Sequence, residues 1–284
     1  MKLKSEELEK EFNEVGAIKI PKFLPNSALS EIKKLYDELD LENLKHTYTN
    51  VKDQSSEYNN KVTQTFIRLS EQSIKNVFID YQIGGGAFLI KGIGEKSQAL
   101  LHQDWTVVDE NKYQSAVIFC PIHDVDEKNG CIQVLEGSHK WFNNIRGLHN
   151  PSPIMEFKNI KKGLVPFHLK AGDALIFKHN LIHGSKPNYT SNNRVAAMIS
   201  IASKKAEYIH YLKDENEFKI LKADANFFNI NFSKFKSNKS VDVEVFKRIK
   251  IKEGMILDLS DYVEAYNKRY PSGMLSKMKS FFER

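Results

Sequence analysis

Cysteine is nearly absent from this chain, with only Cys120 and Cys131 among 284 residues. Both sit in apolar stretches, where a buried structural thiol is expected, and two such residues make no disulfide framework. The same scarcity excludes a zinc finger, which needs a Cys/His set at close spacing. Long hydrophobic runs are also missing. Ala116–Ile122 is typical of the apolar stretches and falls far short of the ~20 residues needed to cross a bilayer. The first residues, MKLKSEELEKEF, are charged and amphipathic and contain no apolar centre of a secretory signal. A cytoplasmic protein without stable membrane insertion is expected.

Acidic residues are the scarcer charge. Lys and Arg number 42 against 36 Asp and Glu, for a net charge of +6 and a pI near 9.0. Such an excess can serve an anionic partner. Here it is spread over lysines among many asparagines and is densest in Lys234–Lys252. No stretch interleaves basic residues with stacking aromatics, so no nucleic-acid partner is expected and the charge reads as a solvated face. Met274–Phe282 places Met, Leu and Phe among lysines and reads as a packing helix rather than a membrane contact. No internal repeat or low-complexity linker is present. The run Gly84–Gly86 lacks the context of a phosphate-binding loop with a following helix, and is expected to be a turn into a first barrel strand.

What is present is an ordinary globular balance, 41% apolar and 27% charged, in a chain long enough for a sizeable core. Residues 26–45 have Ile32, Leu35, Tyr36 and Leu39 at helical spacing, with Asn26 or Ser27 as cap after Pro25. A second helix is expected over Val62–Phe78, after a polar loop at Asn50–Lys61. From Ala87 onward short apolar runs alternate with turn residues: Ala87–Lys91, Ala99–Val108, Ser115–Ile122, Cys131–Leu135, Leu164–Leu169, Ala174–Phe177 and Val195–Ile201. These predict a β-sandwich or barrel, with turns at Asp126–Gly130 and Ala171–Asp173. With the helices the class is α+β around a mainly β core. One domain over 1–284 is expected, with a helical layer over 1–80, a core over about 85–204 and an extension over 205–284. The extension holds strand-like Phe218–Leu221 and Met255–Leu259 and a helix containing Tyr262–Tyr270.

The chemistry concentrates in two segments. In LLHQDW, His102 and Asp104 are two apart on a predicted strand, so both face one point while Gln103 faces away. A second imidazole would complete a 2-His-1-carboxylate set with open positions, the arrangement of non-haem iron oxygenases. It is supplied by HGSKPNYTSNNR, in which His183 ends a strand–turn–strand pattern. Arg194 follows eleven residues later on the next strand. That guanidinium is placed to grip a carboxylate bidentately, and Ser185 shares the strand parity of His183 and can add a hydroxyl. His179 competes with His183 but falls before the turn. His123, His139, His149, His168 and His210 read as surface or capping residues, and Asp109, Asp124 and Asp173 as turn residues.

The segments LLHQDW, NGCIQVLEGSHKW, AGDALIF and HGSKPNYTSNNR, in that order, resemble the phytanoyl-CoA dioxygenase family of Fe(II)/2-oxoglutarate oxygenases. GAIKIPKFLPNSALSEIKKLYDEL resembles that family's opening strand and helix. The resemblance runs from about Phe12 to Lys204. It implies a double-stranded β-helix (jelly roll) with flanking N-terminal helices. It implies Fe(II) held by His102, Asp104 and His183, and 2-oxoglutarate held by Arg194 and Ser185. Lys91 corresponds to a lysine near the cosubstrate, and Phe119 stands where some members place a tryptophan against it. Gly130, Gly137, Ser138 and His139 belong to a family marker and read as barrel-turn residues without a catalytic role. With O2 as the other cosubstrate, the implied reaction is hydroxylation of a small organic substrate or acyl derivative, releasing succinate and CO2. Asp104 separates this chain from halogenating relatives, which put a small residue there. The substrate shell is expected from Trp105–Lys112, Lys140–Lys162 and the C-terminal region, with Trp105 and Tyr113 lining the cavity. The competing interpretation is a non-catalytic or isomerase-like cupin that holds another divalent metal.

Overall fold

Ser5 starts helix α1 (Glu6–Val15), its side chain accepting from the Leu8 amide, and the helix stops at Gly16 with φ 89°. The structure, a computed structural model, describes residues 1–42, 44–147, 149–157, 160, 162–224, 227 and 244–271. Met274–Phe282 and the first part of Lys234–Lys252 lie outside the described residues. Strand β1 (Lys2–Leu3) precedes α1 and strand β2 (Ala17–Ile20) follows it. Helix α2 (Asn26–Asp37) buries Ala28, Ile32 and Leu35. It is shorter than the expected 26–45. Pro25 occupies the cap position without a side-chain hydrogen bond, so neither Asn26 nor Ser27 caps it.

After β3 (Thr47–Tyr48), the segment Asn50–Lys61 departs from the expected loop. It forms a 3-10 turn at Asn50–Lys52 and then enters helix α3 (Ser56–Val77), capped by the Ser55 side chain. Its polarity serves the interior. Asn50 and Asn59 are fully buried, Asn50 Nδ2 donates to Asn59 Oδ1 at 2.6 Å, and Asn50 Oδ1 accepts from the Phe88 amide at 2.7 Å. Buried amides are tolerated because they are bonded.

Strands β4 (Phe78–Ile79), β5 (Tyr81–Lys91), β6 (Ala99–His102), β7 (Ser115–Pro121), β8 (Ile132–Leu135), β9 (Leu164–Pro166), β10 (Ala174–Lys178), β11 (His183–Ser185) and β12 (Arg194–Ser203) follow. A six-stranded sheet has the order β2-β10-β7-β12-β5-β3, and a four-stranded sheet the order β6-β11-β8-β9. From β5 to β12 the chain passes back and forth between these sheets, which makes a jelly roll. Side-chain alternation sorts the core into two layers. Ile118, Ala197, Ile199, Phe88 and Ile90 face α2 and α3, where Ile32 and Phe66 meet them. Val117, Phe119, Leu175, Phe177 and Ala196 meet Ile132 and Val134 of the smaller sheet.

The run Gly84–Gly86 is not a turn but lies inside β5, paired with β12 across a register shift. The need for glycine there is space. A Cβ on Gly84 would sit 2.2 Å from the Tyr208 ring, and one on Gly86 would sit 3.1 Å from Phe66.

The extension forms a three-stranded antiparallel sheet of β13 (Ile209–Asp214), β14 (Glu217–Lys222) and β15 (Val245–Lys250). Helix α4 (Leu259–Arg269) follows, started by a capping box between Asp258 and Asp261. Met255–Leu259 is not a strand but the turn into α4, with the Met255 amide donating to Lys252 O. On α4, Tyr262 and Tyr266 pack against Leu101 and Leu135 of the four-stranded sheet and Ile182 just before β11. No described helix is long and apolar enough to cross a membrane.

Candidate active site

Antiparallel pairing of β6 with β11 sets His102 opposite His183, with ring centroids 4.4 Å apart. Each ring is oriented by its own strand: His102 Nδ1 lies 2.7 Å from Leu100 O, and His183 Nδ1 lies 2.9 Å from Leu181 O. With those nitrogens as donors, both Nε2 atoms keep their lone pairs. They converge on one carboxylate, His102 Nε2 lying 3.9 Å from Asp104 Oδ1 and His183 Nε2 3.9 Å from Asp104 Oδ2. That is too long for hydrogen bonds. The donor atoms of the three residues lie within 4.8 Å of one another, which leaves room for an ion at their centre.

The electrostatics suit such an ion. Burial, and then the neighbouring His102, push His183 down to about 4, so its imidazole is neutral near pH 7. Burial opposes the charge on Asp104, but His183, His102, His179 and Arg146 outweigh it and hold the carboxyl below its usual range. The neutral His183 imidazole and the ionised Asp104 carboxylate form part of a donor set suited to a divalent metal. Phe177 packs on the His183 ring at 4.6 Å between centroids. The His102 and Asp104 side chains keep 31% and 29% of their surface exposed, so one side of the centre is open.

Arg146 was not singled out by the sequence, yet it anchors the Asp104 backbone. Its fully buried guanidinium donates from Nε to Asp104 O at 2.8 Å, from Nη1 to Asn144 O at 2.6 Å, and from Nη2 to the Glu110 carboxylate at 2.6 Å. The Asp104 amide donates to His179 O at 2.9 Å. Both backbone groups of Asp104 are therefore fixed. No local pattern links Arg146 to Glu110 in a polar loop, so the pair has no sequence signature.

Other expectations divide. His179 is buried beyond the end of β10 and meets Asp104 through its carbonyl. His139 and His210, expected as surface or capping residues, are buried; His139 Nε2 lies 3.2 Å from Asn13 O in the last turn of α1. Asp173 is a turn residue as expected, accepting from the Lys22 and Lys170 amides. Trp105 lies against His210 at 5.7 Å between ring centroids, and Tyr113 packs with Val107 and Val108.

A second group of polar side chains sits in the same interior. Arg194 begins β12 and is in register with Lys91 at the end of β5. They are 1% and 0% exposed. Arg194 Nη1 donates to Gly130 O at 2.9 Å, and its Nε has no hydrogen-bond partner. The guanidinium lies 5.1 Å over the Phe119 ring. Lys91 Nζ donates to Ser97 O. Burial, and then the Arg194 charge, lower Lys91 to about 7, and burial lowers Arg194 to about 10. Among the described residues, no carboxylate forms an ion pair with either cation. Ser185 is buried on β11, two residues from His183 and on the same strand face. Adjacent buried cations without an anion are costly, and a carboxylate ligand would offset that cost.

Gly130 does more than turn the chain. It holds φ 75°, and a Cβ there would meet Lys186 O at 2.4 Å and Lys91 Cδ at 2.8 Å. Gly130→Ala is expected to destabilise the fold by about 1–3 kcal/mol through left-handed strain and overpacking. Urea unfolding would show this as a lower midpoint at unchanged slope.

The fold and this cluster define a jelly roll with a two-histidine, one-carboxylate centre. The Phytanoyl-CoA dioxygenase (PhyH) family profile matches residues 12–196. The chain belongs to the phytanoyl-CoA dioxygenase family. It is 28% identical over 132 residues to Dioxygenase olcK of Penicillium canescens, covering 44% of this chain and 40% of that protein. It is 25% identical over 122 residues to Phytanoyl-CoA dioxygenase 1 of Oryza sativa subsp. japonica, covering 40% of this chain and 42% of that one. The matched part thus spans about two fifths of these curated relatives. Among solved structures, the non-heme alpha ketoglutarate dependent carbocyclase SnoK from nogalamycin biosynthesis shares the fold at TM-score 0.55 and 16% identity, over 72% of this chain and 86% of that one. HygX from Streptomyces hygroscopicus, solved with iron bound, does so at TM-score 0.52 and 16% identity, over 71% and 87%.

Proposed function

We propose that this protein is an Fe(II)- and 2-oxoglutarate-dependent oxygenase, with 1–284 forming one oxygenase domain. It hydroxylates a C–H bond of a small organic substrate or acyl derivative. His102 Nε2, His183 Nε2 and the Asp104 carboxylate hold the metal. Arg194 and Lys91 bind the far carboxylate of 2-oxoglutarate, assisted by the Ser185 hydroxyl, over the Phe119 ring. Family membership and the dioxygenase names of the curated relatives support this reading. The bound metal, with the 2-oxo acid and O2, supplies the oxidant that inserts oxygen into the C–H bond, yielding succinate and CO2. The chain's own residues position: the imidazoles present lone pairs, Asp104 supplies negative charge, and the buried cations fix one end of the diacid. The two buried free thiols, Cys120 and Cys131, support a cytoplasmic location.

The observation that carries the proposal is the Lys91–Arg194 pair, buried with no carboxylate partner among the described residues. A plain metal-binding cupin needs no such clamp. The discriminating experiment incubates the protein with Fe(II), ascorbate and 2-oxoglutarate across a substrate library. Succinate formation and +16 products read by mass spectrometry support the oxygenase. Metal uptake without any succinate would favour the cupin.

Lys91 makes the cosubstrate step pH-dependent. A diacid prefers the protonated amine, whose pKa in the free protein is lowered to about 7. Affinity for 2-oxoglutarate is therefore expected to be full below pH 7 and to fall as pH rises through that value, while Lys91→Met removes the dependence. Calorimetric titration of 2-oxoglutarate into the metal-loaded protein at several pH values checks this.

A further inference from the structure

The C-terminal helix α4 lies beyond the family match at 12–196, but it touches the back of the metal strand. Alternation along the chain decides this: His102, Asp104 and His183 face the centre, whereas Leu101, Gln103 and Ile182 face the other way. Gln103 is 3% exposed. Its Nε2 donates to Asn180 O at 2.7 Å, and its Oε1 accepts from Tyr262 Oη at 2.6 Å and from Ser152 Oγ at 3.2 Å. Tyr262 is itself fully buried, with the Phe142 ring edge-on at 5.2 Å. Leu101 and Ile182, which directly precede His102 and His183, pack with Tyr262 and Tyr266.

We propose that Tyr262 is a positioning residue for the metal centre: its hydroxyl fixes Gln103, and Gln103 fixes the relative placement of the two ligands that flank it, His102 and Asp104. The inference rests on the metal-binding reading of those residues. Its physical basis is that a ligand pair two residues apart can rock as a unit only through the peptide between them. Here that peptide's side chain is bonded at both ends, once to the β10–β11 turn through Asn180 and once to α4. The helix thus serves as the rear wall of the site, and the extension has a function in the chemistry that its distance along the chain conceals. Packing alone would make α4 a generic cover. The hydroxyl-to-carboxamide bond makes it specific.

The test is metal affinity of the apoprotein, measured by anaerobic calorimetric titration with Fe(II) and repeated with Co(II), whose visible spectrum reports coordination geometry. Tyr262→Phe keeps the ring and removes the 2.6 Å bond to Gln103, together with longer ones at 3.3 Å to Ser152 Oγ and Asn144 Oδ1. Tyr266→Phe is the control, since Tyr266 Oη accepts from the Lys162 amide at 2.9 Å and anchors α4 without touching Gln103. Tyr262→Phe is expected to weaken metal binding about 10- to 100-fold, the usual effect of losing support behind a ligand, and to alter the Co(II) spectrum. Tyr266→Phe should leave both unchanged even if its melting temperature falls as far. Gln103→Met removes the acceptor instead of the donor. It should reproduce the loss, and the double variant should add nothing to either single change; this arm stands if Tyr262→Phe does not fold. Wild-type affinity and spectrum in Tyr262→Phe or Gln103→Met, or equal weakening by Tyr266→Phe, would overturn the proposal. If the wild-type protein itself takes up no metal, the reading of the centre fails and the proposal with it.

Discussion

Asp104→Ala is expected to fold like the wild-type protein and to lose both metal binding and 2-oxoglutarate turnover. The two halves of that result have separate causes. The loop carrying Asp104 is held by its backbone, through Arg146 Nε on the carbonyl and His179 O on the amide, and alanine keeps both bonds. The carboxylate itself makes no hydrogen bond among the described residues, and its oxygens stand 3.9 Å from the two Nε2 atoms. Removing it takes away the carboxylate that, among the described residues, faces both imidazoles, so a divalent cation loses the charge that compensates its own. A loss of at least about 100-fold in metal affinity is expected, larger than for a supporting residue. Circular dichroism and thermal melting should be unchanged, while metal titration becomes flat. His102→Ala should behave in the same way. Full turnover in either variant would show that the ligand set has been misassigned.

The second large effect belongs to Arg194→Met. The guanidinium is 1% exposed, bonded once to Gly130 O, and stacked on Phe119. Its Nε is free for a ligand. Truncating one partner of a buried, hydrogen-bonded charge pair typically costs 2–5 kcal/mol, so the affinity for 2-oxoglutarate should fall by at least about 30-fold. Metal binding should persist, because Arg194 does not contribute a donor. The free protein should be no less stable, since the variant removes a buried cation that has no anion partner among the described residues. This pattern of intact metal uptake, weak cosubstrate binding and undiminished melting temperature separates a cosubstrate anchor from a structural arginine. A variant that unfolds, or that binds 2-oxoglutarate as tightly as wild type, would place the anchor elsewhere.

Much of the fold was legible because strand signals are local. Short apolar runs bounded by turn residues located the segments that became β5, β7, β8, β10 and β12, and strand parity in LLHQDW put His102 and Asp104 on one side and Gln103 on the other. Helical spacing in α2 picked out Ile32 and Leu35, which are buried. The misreadings share a cause: one residue type serves two physical purposes. Glycine marks turns, but Gly84 and Gly86 are small because Tyr208 and Phe66 press on β5. Asparagine marks loops, but Asn50 and Asn59 satisfy each other and the Phe88 amide inside the core. Histidine outside the ligand set reads as a surface or capping residue, but His210 is buried, and His139 is buried where its ring meets Asn13 O near the end of α1. What sequence patterns could not supply were partnerships across the chain, such as Glu110 with Arg146 and Gln103 with Tyr262. Nothing in the spacing of those residues announces that they meet. The parts that hold the ligands steady are therefore harder to read than the ligands.

The most direct test is an anaerobic crystal structure of the protein with Mn(II) in place of iron and 2-oxoglutarate added, phased to reveal the metal by anomalous scattering. The account predicts one strong anomalous peak bonded to His102 Nε2, His183 Nε2 and the Asp104 carboxylate, with the diacid's far carboxylate on Arg194 and Lys91. A metal bound elsewhere, or 2-oxoglutarate lying away from those two cations, would contradict it.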